Sequence, residues 1–255
     1  MPIHVVFNQK GGVGKSTIAC NLASISASRG RRTLVIDLDP QGNSTHYLLG
    51  SEVPPDEQTL HGLFSDMLCY TLDHRPPASF VAPTPFAGLD IMASHPALEE
   101  LRDKLESRYK MFKLRDALLA LEGYDEVFID TPPALNFFTR AALIATDRCL
   151  IPFDCDRFSR DALYRLMETV QELRHDHNPR LEVEGIVVNQ FQGRARLPRQ
   201  VVAQLESDGL PVLTPYLSAS VKIRESHEHA RPMVYYQPRH KLSEEFRALY
   251  DSLAR

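Results

Sequence analysis

The sequence predicts an α/β fold built on a single doubly wound, mostly parallel sheet with helices on both faces. Three observations predict it. Short β-branched and apolar runs recur along the chain. They do not alternate with polar residues, as expected of strands buried on both sides. Segments with apolar residues at helical spacing separate them, which makes βαβ units. Taken in order, Ile3-His4-Val5-Val6-Phe7 reads as the first strand. Gly11-Gly12-Val13-Gly14 breaks it, and Lys15 to Arg29 then carries Ile18, Leu22 and Ile25 at helical spacing, with Gly30 as the stop. Thr33-Leu34-Val35-Ile36 is the second strand, ended by Asp37-Leu38-Asp39-Pro40. Further strands are expected at 89–92, 126–129, 149–151 and 185–188, and helices at 96–121, 134–146, 158–176 and 197–208. In the 158–176 segment Leu163, Leu166, Met167, Val170 and Leu173 form one stripe. Residues 51–88, rich in Pro, Asp and His, are expected to hold loops or short helices. The alternation runs from end to end, so residues 1–255 read as one domain.

Composition narrows the function. With 43% hydrophobic and 24% charged residues the chain of 255 can bury a real core, which excludes disordered and collagen-like classes. Lys and Arg number 29 against 33 Asp and Glu, a net charge of −4. That excludes a globally basic nucleic-acid binder but leaves room for a local basic patch. Four cysteines in no C-x-x-C or zinc spacing point to a reducing compartment. No apolar run approaches the ~20 residues of a membrane span, and the residues before Asn8 are too few for a signal peptide. A cytoplasmic protein is expected.

Gly11-Gly12-Val13-Gly14-Lys15-Ser16-Thr17 lies between a strand and a helix, where glycines let backbone N–H groups form an anion nest at a helix N-terminus. Lys15 is placed to reach β- and γ-phosphates, and the Ser16 hydroxyl to bind Mg²⁺. The general motif G-x-x-x-x-G-K-[ST] has glycine where this chain has Gln9, and Lys10 precedes the glycines. A second lysine beside the same phosphates needs an anion between it and Lys15. Two aspartates follow at the carboxyl ends of expected strands, where open α/β sheets bind ligands. Asp130 suits a Mg²⁺ shell, and Asp39 could orient an attacking water. Asp37 could be structural.

The stretch Asn8 to Thr17, then Asp37-Leu38-Asp39-Pro40-Gln41-Gly42-Asn43, then Ile129-Asp130-Thr131-Pro132-Pro133 resemble, in that order, the ParA family of deviant Walker-A P-loop ATPases in the ParA/MinD superfamily. Val221-Lys222-Ile223-Arg224-Glu225-Ser226 and Arg231-Pro232-Met233-Val234 resemble that family's C-terminal region, so the likeness runs nearly the whole chain. The resemblance implies an ATPase with weak intrinsic turnover, using ATP and Mg²⁺. It implies an ATP-driven sandwich homodimer in which Lys10 of each subunit contacts the phosphates bound by the other. Lys10, Lys15 and Asp39 would serve hydrolysis, with Gly11, Gly12, Val13, Gly14, Lys15, Ser16 and Thr17 holding the nucleotide. Ser16 and Asp130 would hold the metal, and the segment after Thr131 would sense the γ-phosphate. Asn189 falls where relatives contact adenine; an ordinary strand-end turn explains it equally well.

The resemblance further implies a switch that segregates or positions a plasmid, a chromosome region or a protein cluster. A ParB-like or other cargo adaptor would stimulate hydrolysis, and DNA bound without sequence preference would be the matrix, giving nucleoid association. Arg194, Arg196 and Arg199 cluster at the start of a helix, and Lys222 and Arg224 lie in the C-terminal segment. An arginine matching Arg194 and C-terminal basic residues bind DNA in relatives, and phosphate contacts suffice for such binding. Solvated surface arginines are the alternative. A chain that starts at its first strand is expected to lack the N-terminal DNA-binding extension of some plasmid relatives. The 243–253 segment is amphipathic but not basic, which favours core packing over a membrane anchor. His175-Asp176-His177 and His227-Glu228-His229 do not have metal-site spacing. A MinD-like or other non-DNA-bound localisation ATPase, and a nucleotide-gated adaptor with negligible turnover, are the alternative functions.

Overall fold

The computed structural model describes residues 1–71, 73–155 and 159–253. Its strands are β1 (Ile3–Val6), β2 (Thr33–Asp37), β3 (Ala82–Pro83), β4 (Leu89–Met92), β5 (Glu126–Asp130), β6 (Arg148–Asp154) and β7 (Glu182–Asn189). They form one seven-stranded sheet in the order β3-β4-β2-β5-β1-β6-β7. Every pairing is parallel except that of β3 with β4. The chain leaves β1 toward the β2 side and later returns to build β6 and β7 on the other. That reversal opens a crevice at the carboxyl end of β1.

The helices are α1 (Lys15–Ser28), α2 (Asn43–Leu49), α3 (Leu60–Leu68), α4 (Leu98–Ser107), α5 (Lys113–Leu119), α6 (Phe137–Ala145), α7 (Ser159–Asp176), α8 (Arg196–Ser207), α9 (Lys222–Glu228), α10 (Met233–Tyr236) and α11 (Lys241–Leu253). They cover the sheet in two layers. Val5, Ile36, Ile129 and Ile151 point into a core shared with α3 to α8. Val6, Val35, Phe128 and Leu150 point into a second core with α1, α2 and α11. Both faces of each central strand are therefore apolar, the reason the strand runs do not alternate.

All six expected strands are present. The expected 96–121 helix is two, α4 and α5, joined by a short turn at Lys110–Phe112. The break falls at Tyr109, exposed and left-handed at φ 53. It lets Leu98, Leu101 and Leu105 face the core together with Leu114 and Leu118, which one straight helix would not. Within 51–88 the chain forms α3, whose N-terminus Thr59 caps by accepting from His61 N, and the edge strand β3. Pro83 in β3 leaves that edge poor in donors. The first residue of the expected 158–176 helix, 158, lies outside the described residues; α7 matches the rest.

The opposite edge, β7, is covered by the chain after α8. Ile186 N donates to Pro211 O at 2.8 Å, Leu213 N to Ile186 O at 2.9 Å and Leu217 N to Val188 O at 2.9 Å. A Cβ on Gly185 would overlap the Leu213 side chain, so only glycine permits this approach. α11 buries Leu242, Phe246, Leu249, Tyr250 and Leu253 against the α1 layer. No helix among the described residues is long and apolar enough to cross a membrane.

Where β1 and β5 begin, far from the crevice, sits a buried ionic cluster. Glu126 Oε2 accepts from Ser26 Oγ and Tyr250 Oη, each at 2.6 Å, while Oε1 lies 3.1 Å from His4 Nε2. His4 Nδ1 is 2.7 Å from Glu184 Oε2, and Arg148 pairs with Glu184 at 2.8 Å. Burial works against the Glu126 carboxylate, but bonds from His4, Ser26 and Tyr250 outweigh it and hold its pKa at about 2. For His4, burial lowers the pKa, and the two carboxylates more than reverse this. The Glu126 contribution is thus complete above its ordinary 4.5 and disappears as pH falls toward about 2. The His4 contribution is complete below 6.5 and disappears as pH rises through its elevated value. Glu126→Gln is expected to cost about 3 kcal/mol at pH 6 by urea unfolding. The difference from the parent should shrink as pH falls from 4.5 toward about 2, because the unfolded parent takes up a proton at Glu126 before the folded one does.

Candidate functional site

The loop from Phe7 to Gly14 joins β1 to α1 at the crevice. Gly12 (φ 75) and Gly14 (φ 92) adopt left-handed backbone that L side chains resist. Gly14 is the N-cap of α1, and its carbonyl accepts the first helical bond, from Ile18 N at 2.9 Å. With no acidic side chain in the first turn, the N-terminal N–H groups of α1 point into the crevice. Gly11 and Gly12 face open space. The loop therefore has the backbone shape of an anion nest.

Lys15 is only 7% exposed. Its Nζ donates to the Lys10 carbonyl at 3.2 Å. Burial lowers its pKa, and the nearby Asp130 and Asp39 carboxylates counter that. The Lys10 side chain lies on the outer rim of the loop, 3.9 Å from Asp154. Sheet register brings the carboxylates together: Asp130 is opposite Val6 on one side and Asp37 on the other. Asp130 Oδ2 accepts from Ser44 Oγ at 2.8 Å. Burial, with Asp39 adding to it, pushes the Asp130 carboxyl up to about 6 against the pull of Ser16, Ser44 and Lys15. Its Oδ1 is buried and has no hydrogen-bond partner among the described residues. An orphaned carboxylate oxygen beside the Ser16 hydroxyl suits a hard, oxygen-loving cation such as Mg²⁺.

Asp37 is tied up differently. Its Oδ2 accepts from Thr45 N at 2.7 Å and Thr45 Oγ1 at 2.8 Å, while its Oδ1 accepts from Asp39 N at 3.2 Å. Burial and the neighbouring Asp130 raise its pKa well above the ordinary carboxyl value. Asp37 shapes the loop that carries Asp39. Ser94 closes the ring: its N–H donates to Thr45 Oγ1 at 2.8 Å and its hydroxyl to Asp39 O at 2.6 Å. Asp39 Oδ1 accepts from Gln41 N at 3.0 Å. Thr45 and Ser94 were not among the residues expected from the sequence. Ser94 follows β4 at the same sheet edge as the aspartates, which is the signal that could have found it.

A cleft of about 610 Å³ opens beside the loop, lined by Gly12, Gly14, Thr17, Asn189, Ser220 and Arg224 among others. Asn189 ends β7 and donates from Nδ2 to Val13 O at 2.9 Å; Gln190 donates to Gly12 O at 3.3 Å. The end of β7 thus grips the glycine loop. Arg194, Arg196 and Arg199 are exposed around the start of α8. Lys222 sits 2.7 Å from Glu225, and Arg224 belongs to the cleft wall. Among the described residues no group of three or more His, Cys, Asp or Glu side chains is placed to hold a metal ion, the two histidine motifs included. His227 instead meets Thr17 Oγ1 at 2.9 Å, and His229 stacks on Tyr236.

A doubly wound parallel sheet with a glycine anion nest, an inward lysine and carboxylates at the strand ends defines a P-loop ATPase. The comparisons narrow this class. A family model described as an AAA domain matches residues 1–183. The chromosome partitioning protein ParA of Myxococcus xanthus is 34% identical over 250 residues, covering 96% of this chain and 84% of that protein. The sporulation initiation inhibitor protein Soj of Bacillus subtilis is 30% identical, covering 99% and 98%. Apo McdA of Cyanothece superposes with a TM-score of 0.87 at 25% identity, over 99% of each chain. Cobyrinic acid a,c-diamide synthase from Mycobacterium smegmatis, solved with an ATP analogue and magnesium, superposes at 0.83 with 26% identity, covering 100% of this chain and 95% of that one. The chain belongs to the ParA family of ATPases.

The Gly14 geometry yields a direct test. A Cβ there would overlap Asn189 Nδ2 and would also sit on left-handed backbone. Gly14→Ala should destabilise the protein by about 2 kcal/mol in thermal or urea unfolding. Adding Asn189→Ala should recover only part of the loss, since it relieves the overlap and not the backbone strain.

Proposed function

We propose that residues 1–255 form one ParA-type ATPase unit that dimerises on binding ATP, and that the ATP-bound dimer binds DNA without sequence preference. A ParB-like or other cargo adaptor stimulates hydrolysis, and the cycle segregates or positions a plasmid, a chromosome region or a protein cluster. The observation that carries this reading is a phosphate loop with two lysines in different places. Lys15 is buried among carboxylates, whereas Lys10 lies on the outer rim, with 42% of its side chain exposed. A rim lysine can reach phosphates bound by a second copy. Two like charges on one loop are tolerated once an anion lies between them.

ATP and Mg²⁺ are the substrate and metal of this site. The N–H groups of α1 and the Lys15 ammonium take the β- and γ-phosphates. Ser16 and Asp130 would hold Mg²⁺, which would supply positive charge to offset that of the phosphates. Asp39 spends Oδ1 on Gln41 N, and its other oxygen orients the attacking water. Positioning of that kind matters more in the transition state than in the ground state. Asn189 spends its Nδ2 on Val13 O, and its Oδ1 accepts from the adenine amine. The exposed Arg194 and Arg196 carry the phosphate contacts to DNA. Arg224 adds to them at the cleft mouth, and Lys222 adds less, its charge being offset by Glu225.

Retention on DNA of unrelated sequences, measured across a salt series with ATP and with ADP, tests this reading. The parent should be retained with ATP. Arg194→Glu should weaken retention about equally for every sequence and flatten the salt slope by roughly one unit. A parent that shows no ATP-dependent retention at low salt removes DNA as the matrix and leaves a localisation ATPase of another kind.

A further inference from the structure

His227 reaches from α9 to the first turn of α1, where its Nε2 lies 2.9 Å from Thr17 Oγ1. Its ring is stacked on Tyr47 of α2, centroids 3.8 Å apart and planes 12° from parallel. Tyr47 in turn is fixed by a chain of bonds whose direction can be worked out. Ser226 Oγ spends its one proton on Ile223 O at 2.8 Å. It must therefore accept from the Tyr47 hydroxyl, 2.8 Å away. Tyr47 Oη accepts from Asn21 Nδ2 at 3.2 Å, and Asn21 Oδ1 accepts from Met233 N at 2.8 Å. Four elements thus hold the aromatic plate on which the imidazole rests. The ring keeps Nε2 aimed at Thr17. Burial pushes the His227 pKa down, so the ring is neutral at pH 7.

Thr17 directly follows Ser16 and lines the cleft. The phosphates of a nucleoside triphosphate offer acceptors only, so a hydroxyl can serve them only by donating its single proton. Left to itself, that proton can turn either toward the phosphates or toward the imidazole. We propose that His227 is a positioning residue for the nucleotide: with its proton on Nε2 it donates to Thr17 Oγ1, which turns the Thr17 hydroxyl proton toward the phosphates. The inference rests on the nucleotide site described above. The 227–229 segment lacks metal-site spacing in the sequence, and this packing gives its first histidine a different task.

Three variants separate the parts. His227→Phe keeps the stack on Tyr47 and removes the donor. His227→Gln places an amide donor near the position of Nε2 and gives up the stack. Thr17→Val removes the hydroxyl that the proposal says is being directed. Dissociation constants for MgATP, followed with a fluorescent ATP analogue and competition by unlabelled ATP, provide the readout. His227→Phe should weaken binding about five- to tenfold, the size of one ordinary hydrogen bond between neutral groups. Thr17→Val should weaken it at least as much, and His227→Gln should stay within about threefold of the parent. On the Thr17→Val background, His227→Phe should have almost no further effect, because the two share one interaction. A merely structural role would instead leave the two losses additive, which overturns the proposal. So does a Thr17→Val variant that binds like the parent, whatever His227→Phe does. If the parent itself fails to bind MgATP, the nucleotide-site reading falls, a separate result from equal binding by parent and variants.

Discussion

The burial of one ammonium organises this molecule. Lys15 sits at the start of α1 with its Nζ on the Lys10 carbonyl and the Asp130 and Asp39 carboxylates nearby. A buried cation is tolerated only with such partners, so the surrounding chain must deliver them. Parallel register does this by placing Asp130 between the ends of β1 and β2. The left-handed Gly14 does it by letting the end of the loop turn directly into the first residue of α1. The carboxylates in turn are crowded: burial and mutual repulsion raise the pKa of both Asp37 and Asp130. The site holds more negative charge than Lys15 alone offsets, and a divalent cation fits that imbalance.

The two ends of the sheet have opposite electrostatic characters. At the carboxyl ends, charges are exposed to the crevice or left incompletely satisfied, as with Asp130 Oδ1. Where β1 and β5 begin, Glu126 has donors on both oxygens and His4 bridges two carboxylates. The satisfied cluster stabilises the fold, and the unsatisfied one is available to ligands. The C-terminal segments serve the second end. The chain after β7 covers the sheet edge, Asn189 and Gln190 hold the glycine loop, and α9 meets α1 through His227.

Much of this was legible in the sequence, for definite physical reasons. Strands buried on both faces write themselves as apolar runs, and six of the seven strands were readable that way. The seventh, β3, is two residues with a proline, below what any pattern can signal. The break in the expected 96–121 helix was hidden because α4 and α5 each have apolar residues three and four apart, and neither the left-handed Tyr109 nor the short turn at Lys110–Phe112 carries a glycine or proline to mark it. At the site, the glycines, Lys15, Asp39 and Asp130 carry local signatures, because a glycine loop between strand and helix and aspartates at strand ends are visible over a few residues. Thr45, Ser94 and His227 do not. They act through contacts between residues far apart in sequence, such as the 210 positions separating Thr17 from His227, and no local spacing records those.

The central claim is that the loop around Lys15 is a nucleotide site whose charge balance depends on that residue. Titration calorimetry of MgATP into the parent and into Lys15→Ala tests it most directly. The account predicts clear binding by the parent and a loss on the order of a hundredfold or more in the variant, the effect expected when a buried charge partner is removed. A Lys15→Ala protein that remains folded and binds MgATP as tightly as the parent would contradict it.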